Sequence, residues 1–353
     1  MVEVIVRLAA PQILLQPRPD LWQPDPALGY RHTANIDTEA SIQGNRVHFV
    51  TDDRGYRIDS KSPSRDCDPA VHILMLGDSM LEGMKVEEDQ TIPALTAQLL
   101  ERVHDVCAEI DNSGVSGWDP NHYCLEARRA LDERRYRAGV VFVYVGNDVI
   151  ESEANTHPPG PYHRPLRLPR SLRRGELMDA VINPIDDGLR SRSHAYVLAR
   201  DRVRVQARRY NGEQNFPKIY RRDCVDAPFW SVAASVCEKI QAQFDDQGVP
   251  VLFVFVPAIY QVITRDFDRY VSDCGLDPSA VDATQPNRLL AREFATRGIR
   301  VVDPLEDMRR EAEKGVDMYR GRDAHFSVEG TAFMARYILP ELLGMLGNGS
   351  TRK

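Results

Sequence analysis

Four short polar clusters in this 353-residue chain carry residue types that could do chemistry together. The first is Gly77-Asp78-Ser79, at the end of the apolar run VHILMLG (71–77). The others are NSGVSGWD (112–119), GND (146–148) and RDAHFSVEG (322–330). A serine hydroxyl is a poor nucleophile at neutral pH unless a base, usually histidine, lies within about 3 Å and is itself oriented by a carboxylate. His325 and Asp323, two residues apart, can supply both from one loop. The tetrahedral intermediate of acyl transfer also needs donors aimed at its oxyanion. The backbone N–H groups of Ser79 and Gly117 and the side-chain amide of Asn147 would provide three. Taken singly, each cluster has a plainer reading. Gly, Asp and Asn suit turns, and Ser327 suits a helix N-cap.

What joins the clusters is their placement. VHILMLG is short and continuously apolar, as a strand buried on both faces should be. CAEIDNSG (107–114), AGVVFVYVGND (138–148), PVLFVFVP (250–257) and IRVVDP (299–304) read as further strands. Between and after them, helical spacing runs through TIPALTAQLLERVHD (91–105), NHYCLEARRALDERR (121–135), Trp230 to Asp246, Asn287 to Arg297 and Val328 to Leu343. Alternating β and α units imply a parallel sheet with helices on both faces and ligands at the C-terminal strand ends. All four clusters fall on that rim.

Two regions stand outside the rhythm. Residues 1–66 form a β-rich extension in which Tyr, His, Val and Phe alternate with polar residues between Leu28 and Ser60, as in short hairpins. The main domain spans 67–350 and is interrupted at 151–226 by a Pro- and Arg-rich insertion, apparent as a helix only from about Ser191 to Arg209. Between Pro161 and Arg222 there are 15 Lys and Arg against 6 Asp and Glu. With a net charge of −7 for the chain, a basic insertion sits on an acidic body. Its plainest reading is a solvated face. Its sharper one is a cap that draws in an anionic or carrier-bound substrate.

The overall charge argues against nucleic-acid binding. No metal-ligand spacing, phosphate loop or dinucleotide fingerprint is present, so no metal or other cofactor is expected. The six cysteines are scattered without a CxxC pair, which predicts neither a zinc site nor a disulfide framework and suits a reducing compartment. The apolar start MVEVIVRLAAPQILLQ is broken by Glu3, Arg7 and Pro11, so neither a membrane span nor a signal peptide is expected, and the location reads as cytoplasmic. Asp148 reads as a turn cap, His72 as a strand residue, and His157, His163 and His194 as surface residues of the insertion.

The four clusters, in this order, resemble the Ser, Gly, Asn and Asp/His blocks of the SGNH/GDSL hydrolase family. The likeness spans Val71 to Leu343, and VTDDRGYR (50–57) resembles a lead-in found in one bacterial branch. It implies a flavodoxin-like three-layer α/β/α sandwich with a parallel sheet. It also implies Ser79 as nucleophile, His325 as base and Asp323 as its orienter, with Ser79, Gly117 and Asn147 in the oxyanion hole. Gly117 rather than Gly114 occupies the place of the donor glycine. Many members carry D-x-x-H in the last block, whereas Arg322 lies three before His325; the D-x-H version is similar to that of the alginate acetyltransferase branch. The expected activity is hydrolysis of a small-molecule ester. The alternatives are acyl transfer to a sugar or metabolite hydroxyl and a binding module without turnover.

Overall fold

The structure is a computed structural model that describes residues 2–10, 21–42, 45–59, 71–154, 183–190, 192–210, 216–320 and 324–348. Its strands are β1 (Trp22–Asp25), β2 (Gly29–His32), β3 (Asp37–Ile42), β4 (Asn45–Val50), β5 (Val71–Gly77), β6 (Ala108–Gly114), β7 (Ala138–Tyr144), β8 (Val251–Val256) and β9 (Val301–Val302). Its helices are α1 (Val2–Ala9), α2 (Ser79–Glu82), α3 (Ile92–His104), α4 (Pro120–Glu133), α5 (Asp148–Ala154), α6 (Asn183–Arg190), α7 (His194–Tyr210), α8 (Phe229–Asp246), α9 (Ile259–Val262), α10 (Thr264–Asp273), α11 (Gln285–Thr296), α12 (Leu305–Glu313) and α13 (Val328–Asn348).

The five strands expected of the main domain form one all-parallel sheet in the order β6-β5-β7-β8-β9. Alternation along each strand divides the core between two helical layers. On β5, Leu74 and Leu76 pack with residues of α4, α8 and α11. Ile73 and Met75 face the other way, among residues of α3, α12 and α13. The result is the three-layer α/β/α sandwich expected. Helix starts follow local chemistry: Thr91 accepts from the backbone N–H of Ala94 to cap α3, and Asp119 accepts from Asn121 with Pro120 in the first turn of α4.

The N-terminal segment makes two antiparallel hairpins, β1–β2 and β3–β4, around Leu21, Ala40, Val47 and Phe49. The stretch Asp52 to Arg57 then attaches it to the edge of the main sheet. Asp52 Oδ1 accepts from the N–H groups of Arg54 and Tyr56, closing a tight turn. Arg54 grips the buried Asp111 of β6 through two bonds of 2.8 and 2.7 Å, and Tyr136 donates to the same carboxylate at 2.6 Å. Tyr56 donates to Glu126 of α4 at 2.6 Å, and Arg57 bridges Asn112 of β6 through its backbone. The Arg57 side chain, 3% exposed, donates to the carbonyls of Glu82, Gly83, Val86 and His48. Burial lowers its pKa to about 10, which leaves it charged at neutral pH.

Several expectations need adjustment. A first strand lies at Trp22–Asp25, ahead of the β-rich stretch read from the sequence; Pro24 within it obscured the pattern. The last strand is only two residues long, and α9, α10 and α12 were not foreseen. The domain boundary at 66 lies outside the described residues, as do His157, His163 and most of the first half of the insertion. The rest of it supplies α6 and α7, of which α7 is close to the helix expected. Glu3 of α1 accepts from Ser193 Oγ and from the N–H groups of His194 and Ala195, capping α7. Cys107 is disulfide-bonded, whereas Cys124, Cys224, Cys237 and Cys274 are free. This corrects the expectation that no disulfide forms and removes the basis for a reducing compartment. Spacing along the chain does not say which thiols the fold brings together. Among the described residues no helix is long and apolar enough to cross a membrane, and no cluster of His, Cys, Asp or Glu could hold a metal ion.

Replacing Arg57 with Met leaves four carbonyls without their shared donor. It should lower stability by about 3 kcal/mol at neutral pH, read from the urea midpoint at an unchanged slope.

Candidate active site

The sheet order leaves a crevice where β5 pairs with β6 on one side and β7 on the other, with the following connections leaving toward opposite faces. Ser79 begins α2 at the end of β5, and Asn147 lies just before α5, beyond the end of β7. The Ser116–Gly117 turn follows β6. Asp78, not Ser79, caps α2: its Oδ1 accepts from the N–H of Met80 at 2.8 Å. The serine hydroxyl is thereby left for other partners. Gly114, on β6, lies so near that helix that a Cβ there would sit 2.3 Å from the backbone nitrogen of Glu82.

The fourth cluster arrives from the far end of the chain. His325 Nε2 lies 2.9 Å from Ser79 Oγ, across 246 residues of sequence. Its loop is closed locally by the Tyr319–Phe326 bridge and by a bond from Arg320 N–H to the His325 carbonyl. It is also tied outward, because Tyr319 donates to the Pro257 carbonyl at the end of β8 and Arg320 to the Lys85 carbonyl after α2. Ser327 Oγ accepts from Gly330 N–H, so the plainer reading of Ser327 as a helix cap is also correct. Asp323, the expected orienter, lies outside the described residues.

Gly117 has φ +79°, a conformation that glycine adopts without strain. Asn147 donates from Nδ2 to Glu151 Oε2 at 3.0 Å, while its Oδ1 is buried and unpartnered among the described residues. Sequence reasoning passed over Glu151, although a spacing of four on a helix could have pointed to it. Equally unforeseen were Tyr30, His32 and Glu82, which surround the Ser116–Gly117 turn. The only sequence signal for the first two is their alternation on one strand.

Charge beneath the site is held back by burial. Asp78 is 3% exposed, and burial pushes its carboxyl up to about 6, partly offset by the Met80 N–H and by His325. Asp148 is fully buried and is pushed far above the ordinary carboxylate range by burial and then by Asp78, Glu151 and Asp119. Its Oδ2 accepts from the Tyr123 hydroxyl at 3.0 Å and from the Tyr144 N–H at 2.9 Å. Asp148 thus lies under the sheet end with its carboxyl held by Tyr123 and the Tyr144 N–H, more than the turn cap expected. His72 stands within β5, as expected, 3.3 Å from Glu109, and His194 begins α7.

No protein-family model matches the chain, and no curated protein matches it. Solved structures do resemble it. One is TesA, at 12% identity and TM-score 0.43 over 78% of this chain and 99% of that one. Another is a member of the lipolytic G-D-S-L family from Veillonella parvula, at 12% identity and TM-score 0.42, covering 77% and 97%. An acetyl xylan esterase gives 12% identity and TM-score 0.43, covering 77% and 100%.

The raised Asp78 carboxyl makes stability depend on pH. The unfolded group ionises at 3.8 and the folded one at about 6, so the native state binds more protons between these values. Stability should therefore fall as pH rises from about 4 to about 6. Asp78→Asn keeps a cap acceptor but not the titration. Its melting temperature should decline less than the wild type's over that interval, as followed by circular dichroism.

Proposed function

We propose that the protein is a serine-dependent ester hydrolase. The observation that carries this reading is the 2.9 Å approach of His325 Nε2 to Ser79 Oγ at the C-terminal rim of the parallel sheet. Ser79 attacks the ester carbonyl as His325 takes its proton. The developing oxyanion is met by the N–H groups of Ser79 and Gly117 and by the Asn147 Nδ2 hydrogen not given to Glu151. His325 then protonates the departing alcohol, and water activated by the same ring releases the acid. Asp323 is assigned to orient His325 on its place in the chain, two residues away. The reaction needs no cofactor, because nucleophile, base and oxyanion donors are all side-chain or backbone groups.

Ser79→Ala should reduce ester turnover by at least about a thousandfold while leaving the fold intact. A fluorophosphonate probe should label Ser79 in the wild type, read by peptide mass spectrometry. If folded protein escapes labelling at Ser79 and Ser79→Ala retains full turnover, the reading is wrong. Ligand-induced thermal stabilisation without labelling or turnover would instead identify a binding module. Asn147→Ala should cost roughly a hundredfold or more in kcat, as loss of one oxyanion donor does.

The D-x-H spacing of Asp323 and His325 supports a second reading, in which the acyl-enzyme passes its acyl group to a sugar or metabolite hydroxyl. Partitioning of the product between water and added alcohol acceptors separates the two. Free acid as the sole product at every acceptor concentration favours hydrolysis. The Arg-rich insertion supports an anionic or carrier-bound ester as substrate, and a panel of nitrophenyl esters from acetyl to long-chain would define the acyl group.

A further inference from the structure

We propose that β2 of the N-terminal segment completes the oxyanion site, with Tyr30 as a positioning residue for the Gly117 N–H. The inference rests on the ester-hydrolase reading above. The Tyr30 hydroxyl donates to the Ser116 carbonyl at 2.7 Å. That carbonyl and the Gly117 N–H belong to one planar trans amide, so they point in opposite directions. A donor fixed on the oxygen therefore sets the direction of the N–H. It also polarises the amide and strengthens the N–H as a donor. The hydroxyl lies so close that a Cβ on Gly117 would be 2.8 Å from it, so both the left-handed backbone and this contact call for glycine.

The other half of the turn is pinned from the same strand. Ser116 Oγ donates to Glu82 Oε2, and Glu82 Oε1 lies 2.8 Å from His32 Nε2. Glu82 is fully buried and His32 is 1% exposed, so this pair is shielded from solvent. His32 Nδ1 is buried and unpartnered among the described residues. The ring is thus held through Nε2 alone, by its contact with Glu82. Glu82 belongs to α2, the helix that Ser79 begins. Tyr30 and His32, two apart on β2, project from one face. One strand face thus holds both the peptide that carries the oxyanion donor and, through Glu82, the helix that carries the nucleophile.

Tyr30→Phe keeps the ring and deletes only the hydroxyl. It should lower kcat roughly five- to tenfold, with KM within about twofold of wild type, as loss of one neutral hydrogen bond felt in the transition state would. The affinity of an alkyl boronic acid, whose adduct on Ser79 is a tetrahedral anion, should weaken by the same factor. The Gly117 amide proton of labelled protein should move upfield. Ser116→Ala, which cuts the Glu82 anchor, should lower kcat in the same direction. Tyr56→Phe removes a hydroxyl of the same segment that reaches Glu126 instead; it should lower the melting temperature and leave kcat unchanged. Wild-type kcat and boronate affinity in Tyr30→Phe would overturn the inference while leaving the ester reading intact, as would an equal kcat loss in Tyr56→Phe. Absence of Ser79-dependent turnover in the wild type would overturn both.

Discussion

The order of the parallel sheet is the constraint on which the other features depend. Because β5 pairs with β6 on one side and β7 on the other, the polypeptide leaves neighbouring strand ends in opposite directions and cannot cover the gap between them. Ser79 and Asn147 at that gap follow β5 and β7, whose central residues are buried and apolar, while the Ser116–Gly117 turn follows β6, which buries Asp111 and Asn112. The strand interiors hold the rim rigid; the turns only decide what is displayed there. His325 is the exception, since it comes from a loop ahead of α13. That loop needs its own internal bridge and two outward ties to reach the same place.

The second level of organisation is charge buried in pairs. Removing a carboxylate from water costs several kcal/mol unless partners restore its hydrogen bonds. Asp111 is met by Arg54 and Tyr136, Glu126 by Tyr56 and Arg129, and Glu82 by His32 and Ser116. In each case one partner comes from the N-terminal segment. These are contacts of the kind that specify one arrangement, because a shifted register would strand a buried charge. Asp148 has no cationic partner among the described residues, and burial pushes its carboxyl far above the ordinary range.

How much of this was legible in the sequence depended on the range of the forces involved. The runs at 71–77, 138–144 and 251–256 announced buried parallel strands, because burial on both faces leaves a continuous apolar signature. The approach of His325 to Ser79 was expected because polar turn residues follow such strands and because the order of the clusters resembles that of the SGNH/GDSL blocks. Glu82 and His32 could not be read. A glutamate three residues past a serine looks like any first-turn acid, and only tertiary packing makes it a buried anchor. Tyr30 likewise looked like a strand aromatic. The disulfide at Cys107 was missed, and β9 came out shorter than expected, for the same reason: spatial neighbours outside the local window decide them.

Arg57 invites comparison with a bound ion. Its guanidinium, charged at neutral pH, is ringed by four carbonyl oxygens, three from residues 82–86 and one from His48, much as a calcium ion gathers oxygen ligands from a loop. Unlike a metal, it is tethered to the chain and has no dissociation equilibrium of its own. The junction between the N-terminal hairpins and α2 is therefore made at Arg57 without a dissociable ion. Its occupancy is set by folding alone, and the cation that organises this part of the rim is present in every folded molecule.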